Sequence, residues 1–511
     1  MFVNRVKELQ ILKAVAEGIH KHDRMNVAII GNRRIGKTEL ILEFKRKWQD
    51  KKGIIIPYLN VQRVGDINSF VFSSFRELLF EIGRKKGFVT NKIDVGTWDD
   101  ILILSVKLNL EDVVEKLKSV EGINALAFLF ESQECVCEKT GFVSVFLLDE
   151  FQYIENFGKK FIEVMRSIVE KQEKNAYVVT GSSISLMEKI FSKSEEPFFA
   201  QFRRIYLGPL HKQDSKKLAK FFLEKHDRYL QNISANELFR LTSGHPFYVI
   251  SLCRRLIEDF DTVDVEKIRY AFLEETFSPK GDIYLVLDYI FNESLSRAYK
   301  GELHRQILLI LAEKQGLTLT EIAGELGKPS GEVSNYMKVL LKTDLLLREG
   351  NNYYFRDPLL AFWLKNTYLG IGDNELEKMV VRDNLISDLT ERYLKVSSEL
   401  GKSKEYEFKV LLEKKLGMRL DRYASSDGQI EFDLVGKKKN MVYIFEIKWR
   451  NRSASIKDVR SFIDKVRQST FASQKKKLFV LSKSGFDHKA VMMAKKHNII
   501  CLDKSIQEID E

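Results

Sequence analysis

The sequence predicts an α/β multidomain protein whose first half is a parallel sheet flanked by helices. Short β-branched runs alternate with longer amphipathic stretches, and a glycine-rich loop joins the first run to a helix. In addition, 511 residues exceed what one hydrophobic core usually organises. We expect a sheet domain at 1–209, a helical lid at 210–300, a winged helix-turn-helix at 301–370, a helical connector at 371–401 and a second α/β domain at 402–511.

Four apolar runs are the predicted strands of the first domain. Three of them are rich in β-branched residues, and all four lack the polar alternation of a half-exposed strand, which favours parallel strands covered on both faces. Helical patterns lie between them, for example at 37–48 and 161–171. The predicted strands are Asn26–Ile30, Ile54–Leu59, Ser144–Leu148 and Ala176–Thr180.

A phosphate-binding loop (P-loop) follows the first predicted strand. Its eight residues fit the pattern G-x-x-x-x-G-K-[ST], in which backbone N–H groups surround phosphates at a helix N-terminus. In that arrangement Lys37 would contact the β- and γ-phosphates of ATP, and Thr38 would bind Mg²⁺. The predicted nucleotide-binding residues of this loop are Gly31, Asn32, Arg33, Arg34, Ile35, Gly36, Lys37 and Thr38.

Two acidic residues follow the third predicted strand. Asp149 and Glu150 come directly after the apolar run, at the carboxyl end where open α/β sheets place ligand-binding groups. We expect Asp149 to hold the magnesium shell and Glu150 to orient and polarise the attacking water. The P-loop and this acidic pair together predict ATP binding and hydrolysis.

These motifs resemble the archaeal-type ATPases of the AAA+/STAND superfamily, in order along the whole chain. The resemblance includes the paired arginines of the P-loop and several short motifs in the first half. These motifs are Phe2-Val3-Asn4-Arg5, Leu148-Asp149-Glu150-Phe151-Gln152, Thr180-Gly181-Ser182-Ser183, Leu207-Gly208-Pro209-Leu210 and Thr242-Ser243-Gly244-His245-Pro246-Phe247.

The resemblance implies further nucleotide-binding residues. Ser182 corresponds to a polar sensor of the γ-phosphate, and Gly244, His245 and Pro246 correspond to a Gly-x-Pro segment that contacts nucleotide. Members of the family usually carry Gly-Arg before the Leu-x-Pro-Leu run, whereas this chain has Phe202-Arg203-Arg204. Arg203 is our candidate for the arginine that acts at the ATP site, and Arg204 is the alternative.

The region after residue 300 has the pattern of a winged helix-turn-helix. Three helical segments are followed by an Asn351-Asn352 turn and an aromatic run that indicate a wing. Short polar and basic side chains on the exposed side of the third helix suit contact with DNA bases and phosphates. Winged helices also serve as spacers and protein-docking modules, and this use stays open. The predicted DNA-binding residues are Ser330, Ser334, Asn335 and Lys338.

The last domain resembles the PD-(D/E)xK restriction-endonuclease-like fold. Its predicted order is helix, strand, strand, helix, strand, with Asp433 in the first strand and Glu446 and Lys448 on one face of the next. The resemblance implies that Asp433 and Glu446 bind a metal ion and that Lys448 is the catalytic lysine. It also implies a supporting acid on the first helix, either Glu407 or, as the alternative, Glu405.

Composition and charge limit the kinds of protein that this chain can be. The chain is 44% hydrophobic with a net charge of +11, which is typical of a globular protein with an acidic partner such as DNA. The charged N-terminus and the lack of a long apolar run predict a cytoplasmic protein without a membrane partner. We expect ATP and Mg²⁺ as cofactors, and a homo-oligomer is compatible with the sequence. Our interpretation is an ATP-hydrolysing, DNA-binding protein with a metal-dependent nuclease domain; the alternative is a non-cleaving DNA-binding switch with an inert nuclease fold.

Overall fold

A computed structural model of the chain describes most of its residues and two compact units. The expected supporting acid Glu407 and its alternative Glu405 lie outside the described residues, as does the connector at 371–401 except for Leu389. In the part that is described, no helix is long and apolar enough to cross a bilayer. The described residues are 2–191, 198, 201–297, 301–368, 389, 412–413, 415–425, 430–438, 441–448, 453–482 and 485–502.

The first unit contains a parallel sheet in which strand order differs from chain order. Strand β1 lies between β5 and β6, and β5 separates β1 from β4, which pairs on its other side with β2 and β3. The prediction of a parallel sheet is therefore confirmed. The strands are β1 (Asn26–Ile30), β2 (Ile54–Ile55), β3 (Tyr58–Asn60), β4 (Val143–Asp149), β5 (Asn175–Gly181) and β6 (Phe202–Tyr206).

One predicted strand is split in two. The sequence predicted a continuous strand at Ile54–Leu59, but the structure has β2 and β3 with Ile56 and Pro57 between them. Proline has no N–H to donate to a neighbouring strand, which interrupts the ladder. Its carbonyl still accepts a hydrogen bond from the Leu147 N–H at 2.9 Å, so both pieces stay beside β4.

Helices cover both faces of this sheet. Val27 and Ile29 of β1 belong to one core, with residues of α1 and α2, and Ala28 and Ile30 belong to the other, with residues of α3 to α8. This double coverage explains why the strands lack alternation in the sequence. The helices are α1 (Val6–Gly18), α2 (Lys37–Trp48), α3 (Ile67–Lys85), α4 (Trp98–Leu108), α5 (Glu111–Ser119), α6 (Gly122–Thr140), α7 (Lys159–Val169) and α8 (Ile184–Phe191).

The segment after β6 is helical, as the sequence indicated. Pro246 occupies the first turn of one of these helices, where its missing N–H costs nothing. An Asp264 side chain caps another by accepting a hydrogen bond from the Lys267 N–H. The helices are α9 (Lys212–Glu224), α10 (Asn232–Thr242), α11 (Pro246–Asp259), α12 (Val265–Phe277) and α13 (Asp282–Arg297).

The elements of a winged helix-turn-helix follow in the expected order. Thr318 and Glu321 form a capping box at the start of the second helix. Gly327 ends this helix with a φ of 62°, a left-handed conformation that glycine adopts without strain. The elements are α14 (Glu302–Glu313), β7 (Leu317–Thr318), α15 (Leu319–Leu326), α16 (Ser330–Lys342), β8 (Leu346–Glu349), β9 (Asn352–Phe355) and α17 (Pro358–Tyr368).

The C-terminal sheet is mixed and contains more elements than the sequence indicated. Its strand order follows chain order, with antiparallel pairing among β10, β11 and β12 and parallel pairing among β12, β13 and β14. The sequence missed β10, the last helix and β14. The elements are β10 (Asp421–Ala424), β11 (Glu431–Lys438), β12 (Met441–Lys448), α18 (Ile456–Gln468), β13 (Lys476–Ser482), α19 (His488–Lys496) and β14 (Ile499–Leu502).

A bulge interrupts the pairing of β11 with β10. Asp421 pairs with Val435 and Tyr423 with Phe432, so β11 has one more residue than β10 over this interval. Bulges bend a strand and redirect its side chains, and they are common beside functional sites. Asp433 lies within this interval.

Candidate functional site

The P-loop conformation depends on its two glycines. A Cβ atom on Gly31 would lie 2.5 Å from the Leu207 carbonyl oxygen, which no side chain tolerates. Gly36 has a φ of 95°, in the left-handed region that favours glycine, and it immediately precedes α2. Both positions therefore require glycine for the loop to pass from β1 into the helix.

Lys37 bends back over the loop. Its buried ammonium donates hydrogen bonds to the carbonyls of Gly31 at 2.9 Å and Asn32 at 2.8 Å. Burial lowers the pKa of Lys37 to about 8, and the nearby carboxylates of Glu150 and Asp149 partly oppose this shift. A buried ammonium at the start of a helix is a strong binding group for phosphate.

Asp149 is surrounded by hydroxyl groups at the carboxyl end of β4. Its Oδ2 accepts hydrogen bonds from Thr38 Oγ1 at 2.8 Å and from the Tyr58 hydroxyl at 3.1 Å. Its Oδ1 accepts from the Thr180 hydroxyl and from the Glu150 N–H. The structure thus brings Thr38 and Asp149 into direct contact, as expected for two groups of one cation shell. Neither Tyr58 nor Thr180 was given a role from the sequence: Tyr58 belongs to no short motif, and Thr180 was quoted in a motif in which only Ser182 was assigned one.

Glu150 is held by the segment that follows β5. Its Oε2 accepts hydrogen bonds from Ser182 Oγ at 2.7 Å and from Gln152 Nε2 at 2.5 Å. The Ser182 N–H in turn donates to Gln152 Oε1 at 3.2 Å. Because β5 lies between β1 and β4, its carboxyl end places Ser182 beside the acidic pair. Gln152 was quoted in a motif, but the sequence indicated no role for it.

The P-loop arginines contact the helices after the sheet. Arg33 forms an ion pair with Glu293 of α13, with one N–O distance of 2.9 Å, and lies over the Tyr289 ring at 5.8 Å. The Arg34 guanidinium lies 4.3 Å from the centre of the Phe247 ring, at the start of α11. The arginine side chains thus extend from the loop to residues of α11 and α13.

His245 and Arg203 occupy different surroundings. The His245 ring stacks on Tyr248 with centroids 4.2 Å apart, and burial lowers its pKa to about 3, so it is neutral near pH 7. Arg203 is exposed on β6 and pairs with Val27 of β1. Val27 comes four residues before Gly31, the first residue of the P-loop. At about 3.3 Å per residue this is more than about 10 Å from the loop, so the structure does not gather Arg203 with the P-loop residues.

Arg5 is a further residue at the P-loop for which the sequence indicated no role. Its guanidinium donates to the Gly208 carbonyl at 2.6 Å and the Ile35 carbonyl at 3.3 Å. Asn4 and Arg5 both have left-handed backbone conformations, with φ values of 60° and 59°. The opening segment therefore ties the end of the P-loop to the segment after β6. A left-handed Asn-Arg pair leaves no periodic signal in a sequence.

The expected DNA-binding residues lie on α16. Asn335 and Lys338 are exposed, and Ser330 and Ser334 are half-buried. The opposite side of the helix carries buried apolar residues, including Val333 and Met337. The four polar side chains therefore lie on the part of the helix that is not packed into the core.

The C-terminal sheet brings together Asp433, Glu446 and Lys448. Leu434 pairs with Phe445, so Asp433 neighbours Glu446 across the two strands. Lys448 Nζ lies 2.7 Å from Glu446 Oε1, and the Ile447 N–H donates to Asp433 Oδ2 at 2.5 Å. Burial raises the pKa of Asp433 to about 6, and the negative charge of Glu446 adds to the rise.

A second lysine, Lys465, reaches the same carboxylate from α18. Its ammonium lies 3.0 Å from Glu446 Oε1, so two cationic groups share one oxygen. The other oxygen, Glu446 Oε2, is buried and has no hydrogen-bond partner among the residues that the structure describes. The helical period places Lys465 on the buried side of an amphipathic helix, but the sequence does not indicate which strand it faces. Across the residues that the structure describes, no three His, Cys, Asp or Glu side chains gather as a metal site.

Comparisons with known families match two parts of the chain. Residues 2–252 match an ATPase domain described as predominantly from Archaea, and residues 301–346 match a winged helix-turn-helix described as DNA-binding. These matches confirm the expected P-loop ATPase and the winged helix-turn-helix, and neither covers residues 402–511. A comparison with curated proteins found no match.

Several solved structures are similar to this chain. A Walker-type ATPase of Pyrococcus abyssi aligns with a TM-score of 0.51 at 16% identity, over 71% of this chain and 96% of that one, which shows a shared fold. The ORC2 protein of Aeropyrum pernix, solved as ADPNP and ADP complexes, aligns with a TM-score of 0.44 at 12% identity, over 75% and 95% of the chains. The RuvB Holliday junction branch migration motor of Thermotoga maritima aligns at 0.34 and 14%, over 69% and 92%.

Proposed function

We propose that the nucleotide state of this protein controls a metal-dependent nuclease in its C-terminal domain. The premise is that the chain carries an archaeal-type ATPase domain and a DNA-binding winged helix-turn-helix. The observation that carries the nuclease is the cluster of Asp433, Glu446, Lys448 and Lys465, in which one buried carboxylate oxygen has no partner within the described part of the chain. The ATPase and the winged helix supply energy and DNA affinity.

The nucleotide roles of the P-loop residues follow from their contacts. The Lys37 ammonium donates to two loop carbonyls at 2.8 and 2.9 Å, and transfer of these bonds to the β- and γ-phosphates binds ATP. The backbone N–H groups at the start of α2 are uncharged donors that surround and bind the phosphates. Gly31 and Gly36 permit the loop to approach the phosphates closely.

The donors around Asp149 fit a magnesium ion. A carboxylate and a hydroxyl in contact at 2.8 Å are hard oxygen ligands of the kind that Mg²⁺ prefers. Thr38 and Asp149 would hold this ion, while Tyr58 and Thr180 keep the Asp149 carboxylate in place. A bound Mg²⁺ would neutralise charge on the β- and γ-phosphate oxygens.

Glu150 is the group that we assign to water activation. Its carboxylate is oriented by Ser182 and Gln152, and it lies beside Asp149 at the end of β4. From this position it accepts a hydrogen bond from the attacking water and aligns it with the γ-phosphate. Ser182 also stands where a hydroxyl can detect the γ-phosphate, because β5 ends between the P-loop strand and the acidic strand.

The winged helix is the proposed DNA-binding surface. Asn335 and Lys338 on the exposed side of α16 suit contact with base edges and phosphates in the major groove. Ser330 and Ser334 add short hydroxyl groups to the same helix. Lysines of the C-terminal domain, including Lys475 and Lys477, would add phosphate contacts.

The C-terminal cluster fits a hard cation. Glu446 Oε2 is a buried acceptor that no described residue donates to, and Asp433 is a second carboxylate with a raised pKa. Two adjacent carboxylates in a partly buried site repel each other unless a cation or a proton is shared. Asp433 and Glu446 would hold Mg²⁺, which when bound would polarise a phosphodiester oxygen and acidify a water molecule. Glu407 stays a proposal for a supporting ligand.

Lys448 and Lys465 act on the phosphodiester in this scheme. Both ammonium groups are oriented by Glu446 Oε1, so they stand side by side next to the carboxylate pair. Negative charge develops on the phosphoryl oxygens as water attacks phosphorus and the P–O3′ or P–O5′ bond breaks. The two lysines stabilise this charge without moving, because their positions are already set.

A cleavage assay tests the proposal. Single-stranded, duplex and branched DNA would be incubated with Mg²⁺ or Mn²⁺, with and without ATP. Wild type would be compared with Asp433→Asn, Lys37→Ala and, as a matched control on the surface of α18, Asp464→Asn. We expect cleavage by wild type and Asp464→Asn, its loss in Asp433→Asn, and loss of the ATP effect in Lys37→Ala.

One pattern would overturn the nuclease assignment. If ATP hydrolysis is intact and no DNA is cleaved under any condition, the protein is the non-cleaving ATP-dependent DNA-binding switch. Equal cleavage by Asp433→Asn and wild type would show that any observed activity comes from another site or a contaminant.

A further inference from the structure

Asp344 connects the winged helix to the ATPase site. It follows α16 and lies against the start of α8, the helix after β5. Its Oδ2 accepts a hydrogen bond from the Ser183 hydroxyl at 2.6 Å, and its Oδ1 accepts from the Ser185 N–H at 2.8 Å. Beside it, the Ser185 hydroxyl donates to the Lys342 carbonyl at 3.2 Å. Both elements belong to one compact unit.

The Asp344 carboxylate acts as a cap for α8 that comes from another part of the chain. The first N–H groups of a helix have no partner within the helix, and a carboxylate there satisfies them and interacts favourably with the helix dipole. Such caps usually come from the residue just before the helix. Here the cap comes from a position 159 residues further along the chain from Ser185.

The backbone at Asp344 supports a specific role for this contact. Its φ is 62°, a left-handed conformation that glycine or asparagine adopts more readily than aspartate. Glycine is the usual residue just after a helix in this conformation. An aspartate here therefore carries a backbone cost that its side-chain contacts offset.

The segment contacted by Asp344 is the same segment that holds Glu150. Ser182 donates to Glu150 at 2.7 Å, and its neighbour Ser183 donates to Asp344 at 2.6 Å. One short stretch between β5 and α8 thus bonds to the proposed water-activating carboxylate and to the residue after α16.

We propose that Asp344 is a positioning residue for ATP hydrolysis that the winged helix contributes, and that DNA bound at α16 and hydrolysis at Glu150 are linked through it. The inference rests on the proposed roles of Ser182 and Glu150. Linkage between two sites is reciprocal in binding free energy, so ATP in the P-loop also changes the DNA affinity of α16. In this proposal the contact between α8 and α16 is the element whose arrangement both ATP and DNA would bias.

Two substitutions of Asp344 distinguish the effect of losing its side-chain contacts from the effect of relieving its left-handed backbone. Asp344→Gly removes the carboxylate but keeps a residue that favours the left-handed backbone, and Asp344→Asn keeps the shape and one acceptor oxygen. Asp227→Gly is the matched control, because Asp227 is an exposed aspartate with a φ of 57° after α9. The kcat and KM for ATP would be measured with and without duplex DNA, alongside thermal unfolding.

For Asp344→Gly we expect kcat to fall about tenfold with an unchanged KM, and the effect of DNA on kcat to disappear. Asp344→Asn should recover part of kcat, and Asp227→Gly should match wild type. The inference is overturned if Asp344→Gly matches wild type in kcat and DNA response. It is also overturned if kcat falls only together with ATP affinity and thermal stability, because that pattern indicates a purely structural cap.

Failure of the underlying proposal has a different signature. If Ser182→Ala and Glu150→Gln both hydrolyse ATP at the wild-type rate, the roles of these residues are wrong whatever Asp344 does. If those variants are slow and Asp344→Gly is not, only the inference about Asp344 fails.

Discussion

Replacing Lys465 with methionine is expected to strengthen divalent-cation binding at the C-terminal site while it slows DNA cleavage. In the structure the Lys465 and Lys448 ammonium groups lie 3.0 and 2.7 Å from the same oxygen of Glu446. A cation that binds Glu446 must compete with both positive charges. Methionine has a similar length and no charge, so it removes one competitor and leaves the packing of α18 largely unchanged.

The size of the expected change in cation affinity follows from the solvent exposure of the Lys465–Glu446 ion pair. The Lys465 side chain is 33% exposed, so solvent screens its ion pair with the 4% exposed Glu446 side chain. A partly screened pair of this kind contributes about 1 kcal/mol. Loss of that competition corresponds to about fivefold tighter cation binding. Cleavage should fall by about tenfold or more, since one of two groups that stabilise the developing phosphoryl charge is gone.

Calorimetric titration with Mn²⁺ in the absence of nucleotide measures the first effect. The heat that is lost in Asp433→Asn identifies the C-terminal site. Lys457→Met is the matched control, because Lys457 is an exposed lysine on the same helix. Cation affinity in Lys465→Met that equals or falls below that of wild type would refute the assignment of Glu446 as a metal ligand in competition with two lysines.

Other predictions address the remaining sites. Lys37→Ala should abolish ATP binding in an equilibrium titration while the C-terminal domain keeps its cation affinity; unchanged ATP affinity would contradict the phosphate-site assignment. Gly31→Ala should also weaken ATP binding, because its Cβ would lie 2.5 Å from the Leu207 carbonyl, whereas Gly65→Ala meets no atom within 4 Å and should behave as wild type. Replacing Lys475, Lys476 and Lys477 with glutamine should make the plot of log DNA affinity against log salt concentration shallower by about two phosphate contacts. The expected number is two rather than three because the Lys476 ammonium already bonds to three carbonyls of the 471–474 turn. An unaltered slope of this plot would show that these lysines do not contact DNA. His245 has a pKa lowered by burial from 6.5 to about 3, so the unfolded chain takes up a proton that the folded chain does not, and stability falls as pH drops through this window. Thermal unfolding at pH 5 and 7.5 should show a smaller acid loss for His245→Gln, and an equal loss in both proteins would mean that His245 is not neutral in the fold.

Local chemistry accounts for the parts of the first domain that were predicted from sequence. The P-loop pattern and the acidic pair after β4 each lie within a few consecutive residues, and their chemistry depends on that short spacing. The strands were recognisable because both faces of the sheet are buried, so residues such as Val27 and Ala28 are apolar alike. The exception at Pro57 is also local, since a missing N–H interrupts the pairing of one strand.

Groups that meet across the chain could not be predicted in the same way. Tyr58 and Thr180 reach Asp149 from two other strands, and Glu293 reaches Arg33 from α13. Lys465 reaches Glu446 because α18 packs on that face of the sheet, with apolar neighbours such as Phe462 in the core. A single sequence carries no signal for which helix covers which strand.

The sequence by itself determined which chemical groups this protein carries: a phosphate loop, an acidic pair after a buried strand, a winged helix-turn-helix pattern and an Asp with Glu-x-Lys. These follow from covalent order, because neighbours along the chain share a turn or one face of a strand. The tertiary structure alone decided which of these groups act on one another. Strand β5 enters the sheet between β1 and β4 and so brings Ser182 to Glu150, and the packing of α16 on α8 brings Asp344 to Ser183. The physical reason is that such contacts depend on how separate elements bury their apolar faces together, which is a property of the whole chain.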